Sequence, residues 1–135
     1  MQPLLRALLA IYLAHLLTDF VFQTHHLVER KRRGNAAAYL LHGLIHYLSA
    51  VLITGFVLSG SLFSLRTQLV IAALTLVHLL IDLAKIRLAT KYPACDGSWV
   101  YVGDQLLHFL TVSLAAWMLA TIVPFSELSR SEGVV

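Results

Sequence analysis

The sequence predicts an all-α integral membrane protein, a four-helix bundle with polar side chains in its interior. Of its 135 residues, 59% are hydrophobic and only 13% are charged, whereas soluble domains carry about 25% charged residues. Four apolar segments each reach the roughly 20 residues that a helix needs to cross a bilayer. Inside every segment a histidine or aspartate is followed four residues later by another, and on a helix that spacing puts both side chains on one face.

The helices are predicted in chain order from the limits of the apolar segments. They cover residues 3–24, 36–58, 67–88 and 99–123. The breaks between them fall at clusters of Gly, Ser, Asn and Pro near residues 34–35, 59–61 and 93–98. Helices this apolar must share one bundle, so residues 1–125 are predicted to form a single domain. A polar tail, 126–135, follows Pro124 and is expected to fray, and the lone Cys95 excludes an internal disulfide.

Orientation in the membrane is predicted from the lysines and arginines. Seven of them lie at the end of the third segment or follow the first and third segments: Arg30, Lys31, Arg32, Arg33, Lys85, Arg87 and Lys91. Three lie on the other side: Arg6, Arg66 and Arg130. The positive-inside rule therefore places both termini outside the cytoplasm, in a multi-pass protein of the bacterial inner membrane. The calculated pI is near 9.3. Because the basic residues stand beside membrane spans, we attribute this excess of positive charge to membrane topology and not to a nucleic-acid-binding patch.

The polar pairs are predicted to meet at one depth. They are His15/Asp19, His42/His46, His78/Asp82 and Asp104/His108. The first and third pairs lie in the second half of their segments, and the second and fourth lie in the first half. Because successive helices run in opposite directions, all four pairs come close to the cytoplasmic side. Eight candidate ligands on four helices, facing one another, predict a metal site inside the bundle.

The cost of buried charge supports this interpretation. An ionised aspartate near the bilayer centre costs about 2.5–3.5 kcal/mol, so Asp19, Asp82 and Asp104 together require roughly 8–10 kcal/mol of compensation. A divalent cation neutralises carboxylates and accepts neutral imidazoles as ligands. A mixed His/Asp set without cysteine suits zinc as the first candidate, with manganese and iron as alternatives. Hydrogen bonds between histidine and aspartate could supply part of the compensation instead.

The motifs HLLTDFVFQT, HLLIDLAKIRL and DQLLHFL give the chain a resemblance to a family of small bacterial membrane proteins catalogued as a domain of unknown function. More distantly, its His-x-x-x-Asp pairs look like those of predicted membrane-bound metal-dependent hydrolases and of the zinc-dependent phospholipase C and P1-type nuclease group. That resemblance implies that His15, Asp19, His78 and Asp82 are metal ligands. The remaining members of the four pairs are His42, His46, Asp104 and His108. Their positions alone suggest that they complete the metal cluster, which in that group cleaves phosphoesters.

The function predicted first is hydrolysis of a phosphoester in a lipid-linked or amphipathic substrate near the cytoplasmic leaflet. A bound metal would activate water to hydroxide near neutral pH. Whichever of Asp19, Asp82 and Asp104 is not a ligand would be the general base. Lys85, with Arg87 further out, would hold the phosphate.

Four other functions stay open. The same ligands could carry a metal in transit, or hold a haem between His42 or His46 and His108. The pairs could also be hydrogen-bond contacts in a structural subunit, and a di-iron oxygenase of lipid chains is a further alternative. A bundle of four spans could form a homo-oligomer around its substrate, although no motif in the sequence identifies an interface.

Overall fold

The computed structural model describes residues 3–58, 64–93 and 97–122, and the helical prediction is confirmed across them. The elements are α1 (Pro3–Leu16), which continues as a π-helical segment (Leu17–Phe22), α2 (His25–Arg32), α3 (Ala36–Leu58), α4 (Leu65–Lys91) and α5 (Ser98–Ile122). Three predicted features lie outside the described residues: the tail at 126–135, the break at 59–61 and Cys95.

Four segments are long and apolar enough to span a membrane: Pro3–Phe22, Ala36–Leu58, Leu65–Lys91 and Trp99–Thr121. Helix α1 packs against α3 and α5, and α4 packs against the same two helices. The long helices therefore form a four-membered bundle in which α1 lies diagonally opposite α4. Small residues of α1, among them Ala7, Ala10 and Ala14, are buried at these contacts, where they let helix backbones approach closely.

The bundle is apolar outside, and its interior combines an apolar core cluster with a group of buried polar side chains. Large apolar side chains face outwards, with Phe56 90% exposed and Trp99 87% exposed. Histidines, aspartates, threonines and one lysine are buried in the interior. A water-soluble chain seldom leaves so much apolar surface uncovered, whereas lipid covers such a surface without cost. This distribution agrees with the membrane-protein prediction.

The first span ends differently from the prediction. Its last turns, Leu17–Phe22, are π-helical rather than α-helical. The buried Thr18 hydroxyl donates a hydrogen bond to the carbonyl oxygen of Ala14 at 2.8 Å, and this bond competes with the backbone donor that an α-helix would place there. The wider turn carries Asp19, and π-helical turns occur frequently at functional sites.

A short helix, α2, stands where the sequence predicted a basic loop. Thr24 caps its start by accepting a hydrogen bond from the backbone N–H of Leu27 at 3.3 Å. Its end is a Schellman motif: the N–H of Asn35 bonds the carbonyl of Arg30, and that of Gly34 bonds the carbonyl of Lys31. Gly34 has φ +72°, a conformation in which glycine is unstrained. The Asn35 side chain then caps α3 by accepting from Ala38 N–H at 3.1 Å.

Candidate metal centre

His78 of α4 lies at the centre of a cluster of five buried histidines. Its Nε2 atom is 2.9 Å from Nε2 of His42, and its Nδ1 atom is 3.1 Å from Nδ1 of His108. The ring of His46 stacks on the ring of His78 with centroids 4.2 Å apart. His15 completes the cluster, with its ring centroid 5.0 Å from that of His108. The four spans thus bring their imidazoles into mutual contact.

The carboxylate of Asp19 joins His42 and His78 to form a set of three ligand atoms, and the carboxylate of Asp82 lies beside this set. The Oδ1 atom of Asp19 is 3.4 Å from the Nε2 atoms of both histidines. The Oδ2 atom of Asp82 is 3.4 Å from Nε2 of His42 and 4.0 Å from Nε2 of His78. Zinc binds nitrogen and oxygen at about 2.0–2.2 Å, which separates ligand atoms in one coordination shell by roughly 3.0–3.5 Å. All but the longest of these distances fall in or just below that range.

Other ligands form two adjoining groups. The Nε2 atom of His108 is 3.4 Å from Oδ1 of Asp104 and 3.7 Å from Oδ1 of Asp82. His15, His78 and His108 also have ligand atoms within 4.8 Å of one another. Among the described residues, three groups therefore have metal-binding geometry, and they include every predicted ligand except His46. The two oxygens of Asp82 point to different histidines, so this aspartate connects the groups.

Several buried polar atoms of the cluster have no hydrogen-bond partner. They are Nδ1 of His15, Oδ1 of Asp19, Nδ1 of His42, Nε2 of His46, Oδ1 of Asp104 and Nε2 of His108. A buried polar atom without a partner costs about 1–3 kcal/mol, so such atoms are rare unless a ligand or water satisfies them. Three of the six, on Asp19, Asp104 and His108, are atoms that the metal-binding groups use. The donor set therefore fits a cation.

Lys31 is the residue that the sequence prediction missed. It was assigned to a solvated basic loop, but its side chain is only 2% exposed and its Nζ atom hydrogen-bonds Oδ2 of Asp82. Leu27 and Lys31 are the two buried residues of α2, one turn apart on the same face. The N-cap at Thr24 and the Gly34-Asn35 stop signal are readable in the sequence and together predict a short helix here, but they do not indicate which of its basic residues faces inwards.

Lys85 and Arg87, the predicted phosphate-binding residues, have different surroundings. The Nζ atom of Lys85 donates to Oδ2 of Asp104 at 2.6 Å, and its side chain is 35% exposed. Arg87 is exposed and lines a cavity of about 640 Å³. Lys31 lines the same cavity, so it stands between the cavity and Asp82.

The charges of the cluster do not balance. The site holds three carboxylates, on Asp19, Asp82 and Asp104, and two ammonium groups, on Lys31 and Lys85. Three carboxylates and two ammonium groups leave one negative charge for a protonated imidazole or a metal ion to balance. Within the described part of the chain, all the ionic contacts of Asp19 are to imidazoles. A carboxylate without a counter-charge at membrane depth is expensive, and either a protonated imidazole or an added cation would remove that cost.

A family model described as "Protein of unknown function (DUF3307)" matches residues 7–131, so the chain belongs to that family. A search of curated proteins and a search of solved structures found no match. The family description names no activity. The likeness to metal-dependent hydrolases therefore depends on the helix-borne His/Asp pairs alone.

Proposed function

We propose that this DUF3307 member binds a divalent metal inside its bundle and uses it to hydrolyse a phosphoester of a lipid-linked or amphipathic substrate. Zinc is the first candidate, and manganese and iron are the alternatives. The protein would lie in the bacterial inner membrane with its basic end towards the cytoplasm and both termini outside.

The observation that supports metal binding best is the three-atom set from Asp19, His42 and His78. These atoms come from three different helical elements, yet every pair of them is 2.9–3.4 Å apart. Oδ1 of Asp19 has no hydrogen-bond donor, and its carboxylate has no ammonium partner among the described residues. A divalent cation would satisfy the geometry and supply the positive charge that the Asp19 carboxylate lacks.

The proposed hydrolysis assigns a role to each remaining polar group. When bound, the metal would supply a Lewis acid and an activated water. Asp104 is the best-placed general base, because Lys85 occupies its Oδ2 atom while its Oδ1 atom has no hydrogen-bond partner. His108, 3.4 Å from that oxygen, would orient it. His15 and His46 would be additional ligands or would hold the rings of the other histidines.

The substrate would enter from the basic end. Arg87 lines the 640 Å³ cavity beside Lys31, which suits contact with a phosphate. Lys85 lines a second cavity of about 430 Å³ whose other lining residues, apart from Asp104, are apolar or glycine. It would therefore place its ammonium group between Asp104 and the substrate.

The main competing function is a structural subunit held together by hydrogen bonds. Neutral imidazoles carry one N–H each, so His42, His78 and His108 could form a chain in which each donates to the next. This chain would account for the two short N–N distances but not for the unpartnered oxygen of Asp19. Haem binding has less support, because the ring of His78 fills the space between His42 and His108.

Metal analysis tests the proposal. The full chain is purified in detergent after expression with zinc, manganese or iron, and its metal content is measured by inductively coupled plasma mass spectrometry. We expect at least about one metal ion per chain, as a four-ligand site holds, and loss of that metal in His78→Ala. His26→Ala is the matched control, since His26 is an exposed histidine outside the cluster. Substoichiometric metal under all three conditions, or equal loss in both variants, would eliminate the metal centre.

Activity is tested separately with the metal-loaded protein. Short-chain phospholipids and a chromogenic phosphoester are offered as substrates, and Asp104→Asn is compared with the unchanged chain. We expect Asp104→Asn to retain metal and to lose at least about 100-fold in rate, the usual contribution of a general base. A protein that holds stoichiometric metal and hydrolyses none of these compounds would refute the hydrolase function and leave the metal site.

A further inference from the structure

The cavity of about 640 Å³ beside Lys31 is a basic groove at one end of the bundle, between α2, α3 and α4. Its cationic lining residues are Lys31, Arg32, Arg87 and Lys91, and its apolar wall includes Leu40, Leu83 and Ile86. Its volume lies within the range of about 300–1,000 Å³ that small-molecule sites occupy. No aspartate or glutamate is among its described lining residues. The groove therefore combines uncompensated positive charge with an apolar surface.

The cations of the basic groove are not equally available to a ligand. The ammonium group of Lys31 is held by Asp82. The exposed Arg32, Arg87 and Lys91 have no carboxylate partner among the described residues, so three positive charges face the groove. The neighbouring Arg33 differs: it is paired with Glu29 at 3.1 Å and does not line the groove. Of the four basic residues at positions 30–33, Lys31 and Arg32 line the groove, whereas Arg30 and Arg33 do not.

The basic groove is connected to the candidate metal centre. Lys31 lines the groove and contacts Asp82, one of the predicted metal ligands. A smaller cavity of about 150 Å³ shares Arg32, Ile86 and Thr90 with the groove and extends to Lys85, which contacts Asp104. A phosphate in the groove would therefore lie next to both lysines that touch the carboxylates of the centre.

We propose that the basic groove binds the terminal phosphate of a phosphomonoester lipid, with the lipid chain along the wall of Leu40, Leu83 and Ile86. The choice of a monoester follows from the charges. A monoester phosphate carries about −1.5 to −2 charges at pH 7, whereas a phosphodiester carries one, and three arginine and lysine groups match the higher charge better. The lipid chain follows from the apolar wall and from the 71% exposure of Leu40 at the bundle surface.

That this lipid is the substrate rests on the proposed function, whereas its binding does not. In the reaction, a water oxygen would bond to phosphorus and the bond from phosphorus to the lipid oxygen would break. The water's protons would go to the departing lipid alcohol and to the released inorganic phosphate. Neither an oxidant nor a further co-reactant is required.

Binding is measured on the full chain in detergent, with chelator present so that no turnover occurs, by microscale thermophoresis. The probes are dioctanoyl phosphatidate, dioctanoyl phosphatidylglycerol, dioctanoyl phosphatidylcholine and inorganic phosphate. We expect phosphatidate to bind at least about tenfold more tightly than the other three. Arg32→Gln and Arg87→Gln should each weaken phosphatidate binding about tenfold, as loss of one charge-assisted hydrogen bond predicts. Arg33→Gln, which removes the same charge one residue away, should leave the affinity unchanged.

Each other result would overturn a specific part of the proposal. Equal affinity for phosphatidylglycerol would refute the monoester, and equal affinity for inorganic phosphate would refute the lipid chain. An equal effect of Arg33→Gln and Arg32→Gln would show general attraction to a basic surface instead of a groove. Because Arg32 and Arg87 lie on different helices and are exposed, a folding defect in one variant leaves the other to decide. The metal content is measured separately, so failure of the groove and failure of the metal centre are distinguishable.

Discussion

Replacing Asp82 by asparagine tests whether its buried ion pair with Lys31 holds α2 against the bundle. The Lys31 and Asp82 side chains are 2% and 10% exposed. Removing one member of such a pair leaves the other charge buried without compensation, which costs about 3–5 kcal/mol. An exposed pair on the same helix, Arg33 and Glu29, is 75% and 42% exposed, and pairs of that kind contribute about 0–1 kcal/mol. In metal-free protein, Asp82→Asn should therefore lower the free energy of unfolding by about 3 kcal/mol or more, and Glu29→Gln by less than about 1 kcal/mol.

A double-mutant cycle separates the ion pair from the other contacts of Asp82. The free energy of unfolding is measured by titration with sodium dodecyl sulfate in mixed micelles, in the presence of chelator. Lys31→Met keeps the length of the side chain and removes its charge. We expect the double variant Lys31→Met/Asp82→Asn to be more stable than Asp82→Asn alone, because it leaves no lone ammonium group. The coupling energy should lie above the roughly 0.5 kcal/mol within which independent sites add.

Two results would contradict this reasoning. If Asp82→Asn cost no more than Glu29→Gln, the buried pair would contribute nothing beyond a surface pair. If the double variant lost the full sum of both single effects, Lys31 and Asp82 would act independently, and their contact would not hold α2 in place.

Two further predictions concern the metal and the packing of the bundle. Zinc at about 100 times its dissociation constant should raise the free energy of unfolding by about 2.7 kcal/mol, and chelator should reverse this gain. His78→Ala should abolish the gain. An equal gain in that variant would contradict the metal site. Gly43→Ala should be less stable than Gly103→Ala by about 1 kcal/mol, because its Cβ would lie 2.7 Å from Cδ1 of Leu79 and the Leu79 side chain would have to shift. Gly103→Ala, with no atom within 4 Å of the added Cβ, should be neutral or stabilising by up to about 1 kcal/mol. The same titration measures both variants, and an equal change in the free energy of unfolding at the two glycines would refute the packing argument.

The sequence determined the helices and the faces that carry the polar residues. Apolar segments of sufficient length specify spans by themselves, because a bilayer leaves the backbone no other way to satisfy its hydrogen bonds than a helix or a closed barrel. The four-residue spacing of His78 and Asp82 places both on one helical face whatever the neighbours are. The polar interior follows as well, since charged groups avoid lipid. These are local properties, so they could be read along the chain.

The tertiary structure decided which atoms meet. Nothing in the local pattern distinguishes Lys31 from Arg32, yet the Schellman turn at Gly34 and the packing of α2 turn the first towards Asp82 and leave the second in the basic groove. The position of His78 between His42 and His108 depends on α4 lying between α3 and α5, an arrangement that brings together residues 30 or more positions apart. Distances of 3 Å between separate helices are set by side-chain packing across the whole bundle, and a helical periodicity carries no information about them.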